Sequence, residues 1–552
     1  MNPIDTSVLE GIVKNQIMKK YTFLVLIIAS VVYSNKIFTQ ITFSKRLSFD
    51  RIATVLTGVE IVGEYYWVNG ISSYPESPYT TNNVMAKFDL EGNLLHHRFF
   101  EDVDKSYETW SAGLLQDTDT SMISFGYTLD TSSNAIAIRY NMDGEVTQIK
   151  EFVNSFYPGI LVQPWSVLKV ASGYLLCARS GNDAINSTTT FIHVFKLDND
   201  LEILWEKAFD FSTPYSEAGL SLIEGSDSTY VIGGKQHNRN LSWNHFIYRT
   251  QLIGINNNGE KIWEWRSPIS ELQDGARGMV LTPDGGLVVA TAIGTELAVN
   301  DESGTMLWDN YIYKLDADLN KEWGTYFRYG IGGPTHLNQF NKILTCSDGS
   351  GYIAVGMQSV FYGSDGGNIF DENTYDQAGL LVKISPEGDS LWSRTIIHPN
   401  LESFADSHEI YDFEETPDGG FICVGQAADL LQAEQPQQGW LLKLDEHGCL
   451  VPGCHLPSVV NNPAESDQAS VLLYPNPARD MLNVFIRPVN QNESLRMQIC
   501  SEQGQVIRNI DVSPLEATYL LDINELIPAT YHCVLQNKEG HVLQSKFFIK
   551  IN

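Results

Sequence analysis

"KLDADLNKEW" runs from Lys314 to Trp323. Three other stretches share its plan: "KLDNDLEILW" from Lys196, "GINNNGEKIW" from Gly254 and "KISPEGDSLW" from Lys383. Looser copies are "KFDLEGNLLH" from Lys87, "RYNMDGEVTQ" from Arg139 and "KLDEHGCLVP" from Lys443. The copies lie about 50 to 70 residues apart. Self-similarity at such a period marks an array of one repeated supersecondary unit.

A second phrase alternates with the first: an aromatic or apolar residue, three mostly apolar residues, then a small one. It begins at Tyr66, Met122, Tyr174, Tyr230, Leu287, Tyr352 and Phe421. Short continuous apolar runs of this kind read as strands buried on both faces. Turn residues such as "PDGG" at Pro283 and Pro417 often precede them. Each repeat then holds four strands: A before the D-G turn, B the apolar run, C ending in the Lys-Leu-Asp phrase, and D carrying the Trp. A D-x-x-G turn joins C to D, with Gly92, Gly144, Gly259, Gly388 or Gly448 supplying positive φ. Leu201 and Leu319 replace that glycine in two repeats, where Asp200 and Asp318 are expected to take the left-handed position instead.

Seven units that cannot bury both faces alone predict a seven-bladed β-propeller. "ITFSKRLSFD" (41–50) reads like an orphan strand D and is expected to complete the seventh blade. The D-strand Trp is expected to pack between blades as an apolar wedge. The spacing D-x-x-G-x-x-x-W resembles the tryptophan-docking motif of quinoprotein-type propellers, without their adjacent-cysteine ring or calcium-ligand set. "TPDGGFICVGQ" followed by "WLLKLDEHG" is similar to repeats of secreted Bacteroidota propeller proteins.

The tail is a separate unit. After a polar linker (456–470) comes "LLYPNPARDMLNVFI", and the alternating strands and D/N/G turns of 471–552 predict a small Ig-like β-sandwich. Tyr474, Pro475, Asn476 and Pro477, Leu482 and Val484, turns at Gly504 and Gly540, Leu526, Tyr531 and the final strand from Lys546 to Lys550 closely resemble the type A C-terminal sorting domain of the type IX secretion system. "PATY" departs from the glycine that family usually carries before the late Tyr. The resemblance implies export across the outer membrane, with the secretion machinery as partner. At the other end, "MKK" at Met18 and the apolar "YTFLVLIIASVV" (21–32) read as a signal peptide, which makes Met18 the expected translation start. Residues 1–40 are therefore set apart from the propeller, 41–455. No later stretch is apolar over a membrane-spanning length.

The chain has 552 residues and a net charge of −31. Residues 471–552 contribute −1 and the first 40 contribute +2, leaving −32 on the middle. Such a surface repels nucleic acid. Of the seven cysteines, Cys449 and Cys454 flank a Pro-Gly turn in an exported chain and are expected to pair. Cys177, Cys346 and Cys423 read as buried thiols, while Cys500 and Cys533 remain open between pairing and packing.

No nucleophile elbow, zinc spacing or Walker motif is present, and no cofactor is expected from motif. "YGSDGGNIFDENTYDQ" gathers Asp365, Asp371, Glu372 and Asp376, oxygen ligands that suit Ca²⁺, without the spacing of a known calcium loop. The B–C loops are long and varied, so binding is expected on the B–C/D–A face, weighted to 235–249, 294–310 and 357–377. Trp110, Trp165, Trp243, Trp308 and Tyr362 are candidate contacts there, with Arg277 and His408 at the channel mouth. The expected function is binding or adhesion toward a glycan or a surface protein. The alternative is a secreted enzyme: a polysaccharide hydrolase or lyase, or a quinone-dependent dehydrogenase.

Overall fold

The computed structural model describes residues 41–74, 81–101, 105–109, 113–129, 133–156, 161–181, 190–209, 215–226, 228–238, 247–297, 306–327, 338–361, 375–398, 406–429, 437–451, 454, 470–474, 478–479, 481–487, 495–501, 505–512, 517–537 and 542–550. Among them the chain is all-β, with no helix. Strands between 53 and 444 fall into seven successive antiparallel groups, here units 1 to 7: 53–100, 106–152, 161–209, 215–266, 278–327, 339–396 and 406–444. Strand A lies at one edge of each unit and strand D at the other. In unit 2 strand A is split into Ser106–Glu108 and Leu114–Thr118. The outer strand of unit 7 comes from far away in sequence: Phe43–Leu47 pairs antiparallel with Gln437–Leu444.

Local chemistry explains the repeated phrase. Its third residue carries a side-chain oxygen that closes the C–D turn. Asp316 Oδ1 accepts from the N–H groups of Asp318 (2.9 Å) and Asn320 (2.8 Å), and Asn256 and Asp445 do the same in their units. Ser385 manages it with a hydroxyl. The fourth turn position has positive φ in every unit, including Leu201 (64°) and Leu319 (65°). The left-handed residue is thus the leucine, not Asp200 or Asp318. The turn's bonds fix the position, and the leucine side chain gains packing: Leu201 is fully buried. In units 2, 5 and 7 the leading Lys or Arg bonds an Asp at or beside the A–B turn: Lys314 to Asp284 (2.5 Å), Lys443 to Asp418 (3.0 Å), Arg139 to Asp117 (2.7 Å).

Strand B is apolar on both faces because each face meets a different neighbour. In unit 6, Tyr352 and Ala354 pack with Ile312 of unit 5, while Ile353 and Val355 pack with Phe413 and Trp440 of unit 7. Similar clusters join each successive pair of units, and one joins Val68 and Val84 of unit 1 to Ile422, Val424 and Leu441 of unit 7. The D-strand aromatic rings reach across the same boundaries. Trp205 Nε1 donates to the carbonyl of Asn257 (3.1 Å) in the next unit's turn, and Trp323 Nε1 to that of Pro386 (3.2 Å). Trp392 lies over Gly448, and Phe43 over Gly92 of unit 1.

The tail folds into two sheets. Ser470–Tyr474, Met481–Arg487 and Ala517–Asp522 form one; Leu495–Ser501, Val506–Val512, Ala529–Asn537 and Val542–Lys550 form the other. Val484, Ile486, Met497, Leu535 and Phe548 meet in their shared core. The Tyr531 hydroxyl donates to the Ile527 carbonyl (2.8 Å), tying a strand start to the turn before it.

Candidate functional site

The A strands carry a repeated irregularity. In units 1, 3, 4, 6 and 7 the A–B ladder skips one strand-A residue: Thr57, Trp165, Leu220, Asn341 and Tyr411. A bulge leaves its residue unpaired and re-aims the side chain. Several of these side chains cross to the next unit's strand A. Thr57 and Thr109 share a hydroxyl bond (2.9 Å), Leu220 packs on Gly275, and Asn341 Nδ2 donates to the Ile410 carbonyl (2.9 Å). Trp165 is half-buried.

Toward the start of the A strands, polar groups of units 5, 6 and 7 converge. The Glu409 carboxylate accepts from Gln339 Nε2 (2.6 Å) and Asn341 Nδ2 (2.9 Å). The Tyr411 hydroxyl also bonds Glu409; burial first, then that carboxylate, holds the phenol protonated far above its ordinary range. Arg277 of unit 5 opposes this shift, so its charge bears on the same phenol. Arg277 Nη2 donates to Asp274 (3.2 Å), which also pairs with Lys235. These two cations keep Asp274 ionised against its burial. Lys235 Nζ lies 4.2 Å over the Tyr248 ring, and Tyr248 meets Trp308 edge-on at 5.7 Å. Lys235 is near the end of a strand B, whereas Tyr248 and Trp308 stand near the starts of strands C. The chain of contacts from Arg277 to Trp308 therefore belongs to the B–C end of units 4 and 5.

Farther along the A strands a second polar group forms. Asp412 Oδ2 accepts from the Val59 N–H (3.0 Å), Glu414 Oε2 from the Ile61 N–H (3.0 Å), and Glu60 from the Gln116 N–H. Carboxylates of one unit thus satisfy the otherwise open inner edge of the next. Lys342 Nζ binds Asp412 (2.6 Å). Burial first, then the neighbouring carboxylates, pushes Glu60 up to about 8 and Glu414 up to about 7.

Of the residues chosen from sequence, the structure links Arg277 and Trp308 through Asp274, Lys235 and Tyr248, and puts Trp165 on a bulge. His408 is fully buried between units 6 and 7, its ring edge-on to Trp440. Trp110, Trp243, Tyr362, Asp365, Asp371 and Glu372 lie outside the described residues, as do Pro475, Asn476 and Pro477; of Asp376 and Tyr474 only the strand backbone is described. Among the described residues no group of three or more His, Cys, Asp or Glu suits a metal ion. Cys449 and Cys454 form a disulfide. Tyr411, Glu409, Glu60 and Glu414 were missed, although "HEIYDFEE" (408–415) stands out as an acidic run where an inner strand was expected. A Ser180–His193–Glu206 series (2.7 and 2.8 Å) has the residue order of a catalytic triad, but Ser180 and His193 are fully buried. Glu206 there accepts from the Ser155 N–H (3.0 Å), which anchors the segment entering unit 3.

Residues 472–550 match the family model described as a secretion system C-terminal sorting domain. The chain thus carries a type IX sorting domain, which supports secretion or display at the outer-membrane surface and implies contact with that secretion machinery. No curated protein matches the chain. Solved structures similar to it include β-propellers. A protein of unknown function from Dyadobacter fermentans is 8% identical over 62% of this chain and 98% of its own, with a TM-score of 0.39. A polysaccharide lyase described as an ulvan lyase is 10% identical over 74% and 97%, TM-score 0.45. The β-propeller domain of the trilobed protease from Pyrococcus furiosus is 11% identical over 68% and 91%, TM-score 0.34. At these TM-scores they say nothing of ligand or reaction. No helix among the described residues is long and apolar enough to cross a membrane.

Proposed function

We propose that the chain is an exported binding protein. In this reading the seven units are blades of one closed propeller (41–455), sealed by the strand from 41–50. A linker (456–470) and an Ig-like sorting domain (471–552) follow a cleaved signal peptide. The cluster joining Val68 of unit 1 to Val424 of unit 7 supports closure. The ligand sits at the B–C/D–A mouth, and the observation that carries this is the run Trp308–Tyr248–Lys235–Asp274–Arg277. Half-buried aromatic faces beside fixed charges suit a sugar, which stacks its C–H face on a ring and bonds its hydroxyls to the charges. A glycan array probed with the recombinant chain tests it. Binding lost in Trp308→Ala but kept in Leu391→Ala, a substitution on the outer rim, supports the site; equal binding by both variants overturns it.

A second reading is a polysaccharide-cleaving enzyme. It is favoured by Tyr411 held between Glu409 and the charge of Arg277. A phenol with a carboxylate and a guanidinium beside it can move a proton while the cation steadies developing negative charge. Product release from a polysaccharide panel, lost in Tyr411→Phe with binding kept, separates this reading from the first.

A further inference from the structure

The strand Phe43–Leu47 completes unit 7 although nearly four hundred residues of chain separate it from its partner. One hydroxyl on it, that of Ser44, is caught in a part-buried chain of hydrogen bonds that links the strand to His398, His408 and Trp440. Trp440 Nε1 can only donate, and gives its proton to Ser44 Oγ at 2.8 Å. The His398 backbone N–H can only donate, and gives its proton to His408 Nε2 at 3.0 Å. His408 therefore carries its own proton on Nδ1, facing the Gln377 carbonyl at 3.2 Å. Ser44, which accepts from the indole, shares a second hydrogen bond with His398 Nδ1 at 2.7 Å. The His408 imidazole is neutral in this arrangement and uses its bare Nε2 as an acceptor.

A proton added to His408 Nε2 breaks the chain. There it faces the His398 N–H, donor against donor. Arg46, on the same strand as Ser44, bears on both rings, and a charged His398 would bear on His408 as well. Neighbouring elements present neutral groups: Trp440 from Gln437–Leu444 and Gln377 from Tyr375–Ile384. Lys45 points away, its Nζ on the carbonyls of Glu91 (3.1 Å) and Gly92 (2.5 Å).

We propose that Ser44, His398, His408 and Trp440 form an acid-sensitive latch, which holds Phe43–Leu47 on unit 7 at neutral pH and releases it on acidification, uncovering the edge of Gln437–Leu444. Burial, with Arg46, depresses His398 to about 4 and His408 to about 3. Their ordinary value is 6.5. Above 6.5 both states are unprotonated and the latch is at full strength. Below it the open state takes up protons that the closed state refuses, so the opening constant rises up to tenfold per pH unit for each ring. An exported protein meets external acidity directly.

Hydrogen exchange followed by mass spectrometry on the full chain tests this between pH 7.5 and pH 4.5, after correction for intrinsic rates. Residues 43–47 and 437–444 are expected to lose protection by at least tenfold, while Tyr352–Phe361 keeps its own. His398→Asn places a carbonyl near the Nδ1 position and cannot titrate there, so its loss should be reduced by about tenfold or more. Equal protection of 43–47 at both pH values overturns the latch, and so does simultaneous loss in all strands. Should the variant not fold, the contrast between segments in the unsubstituted chain decides alone.

Discussion

Trp323 and Gly388 sit in different units, yet the indole of one covers the backbone of the other. A Cβ on Gly388 would stand 2.6 Å from the ring, and its φ of 94° already disfavours a side chain. The same turn accepts the indole N–H at the Pro386 carbonyl. Trp205 on Gly259, Trp392 on Gly448 and Phe43 on Gly92 repeat the relationship. The phrase that opens the sequence is therefore both a hairpin and a seat for the preceding unit's ring.

Gly388→Ala is expected to destabilise by about 3 kcal/mol, the sum of a left-handed backbone and an overpacked contact. Gly349→Ala is the control, because its φ is 72° but nothing lies within 4 Å of the new methyl. It should cost only about 1–2 kcal/mol. Denaturant midpoints followed by tryptophan fluorescence measure both. Equal costs would mean that the Trp323 contact contributes nothing.

The two leucines at the same turn position should respond differently to glycine. Leu201 is fully buried, so Leu201→Gly forfeits about 2–3 kcal/mol of burial and regains about 1–2 kcal/mol of backbone strain. A net loss near 1 kcal/mol is expected. Leu319 is only half-buried, and Leu319→Gly should fall close to zero. A stabilised Leu201→Gly would show that strain, not packing, governs the turn.

The repeated phrase was legible because its chemistry is local: an oxygen-bearing side chain at the third position, a left-handed residue three places later. At Leu201 and Leu319 the hydrogen bonds that fix the turn outweigh the better left-handed tolerance of Asp200 and Asp318. The inner strands were less legible for a different reason. Glu60 and Glu414 come together from opposite ends of the array. The bulges at Asn341 and Tyr411 turn one residue out of an alternation that looks regular in the sequence. Of the contacts at the B–C end of units 4 and 5, the sequence shows Arg277 and Trp308 as isolated residues; Lys235, Tyr248 and Asp274, which join them, carry no motif.

Cys500 and Cys533 can be assigned by register. Cys500 stands opposite His532, so Cys533 is one step along and faces the other side of the sheet. Both are free, with Cys177, Cys346 and Cys423. Thiol titration of the denatured, unreduced chain should therefore count five sulfhydryls, and seven after reduction. A count of three would place a second bond, with Cys500 and Cys533 the pair to examine by peptide mapping.

Glu60 and Glu414 make the inner strands sensitive to base. Burial, then Glu414, raises Glu60, and burial, then Asp412, raises Glu414, each above an ordinary value of 4.5. From about pH 4.5 upward the unfolded chain has released protons that the folded chain still holds. Stability contributed by these groups is therefore full below 4.5 and is lost as pH rises toward the folded values near 7 and 8, at up to about 1.4 kcal/mol per pH unit for each proton. Glu414→Gln removes one titrating group and the repulsion on Glu60, while its amide oxygen can still accept the Ile61 N–H. The variant's denaturant midpoint should fall less than that of the unsubstituted chain between pH 6 and pH 9. Parallel pH profiles for the two proteins would mean that the proton is not held on this pair.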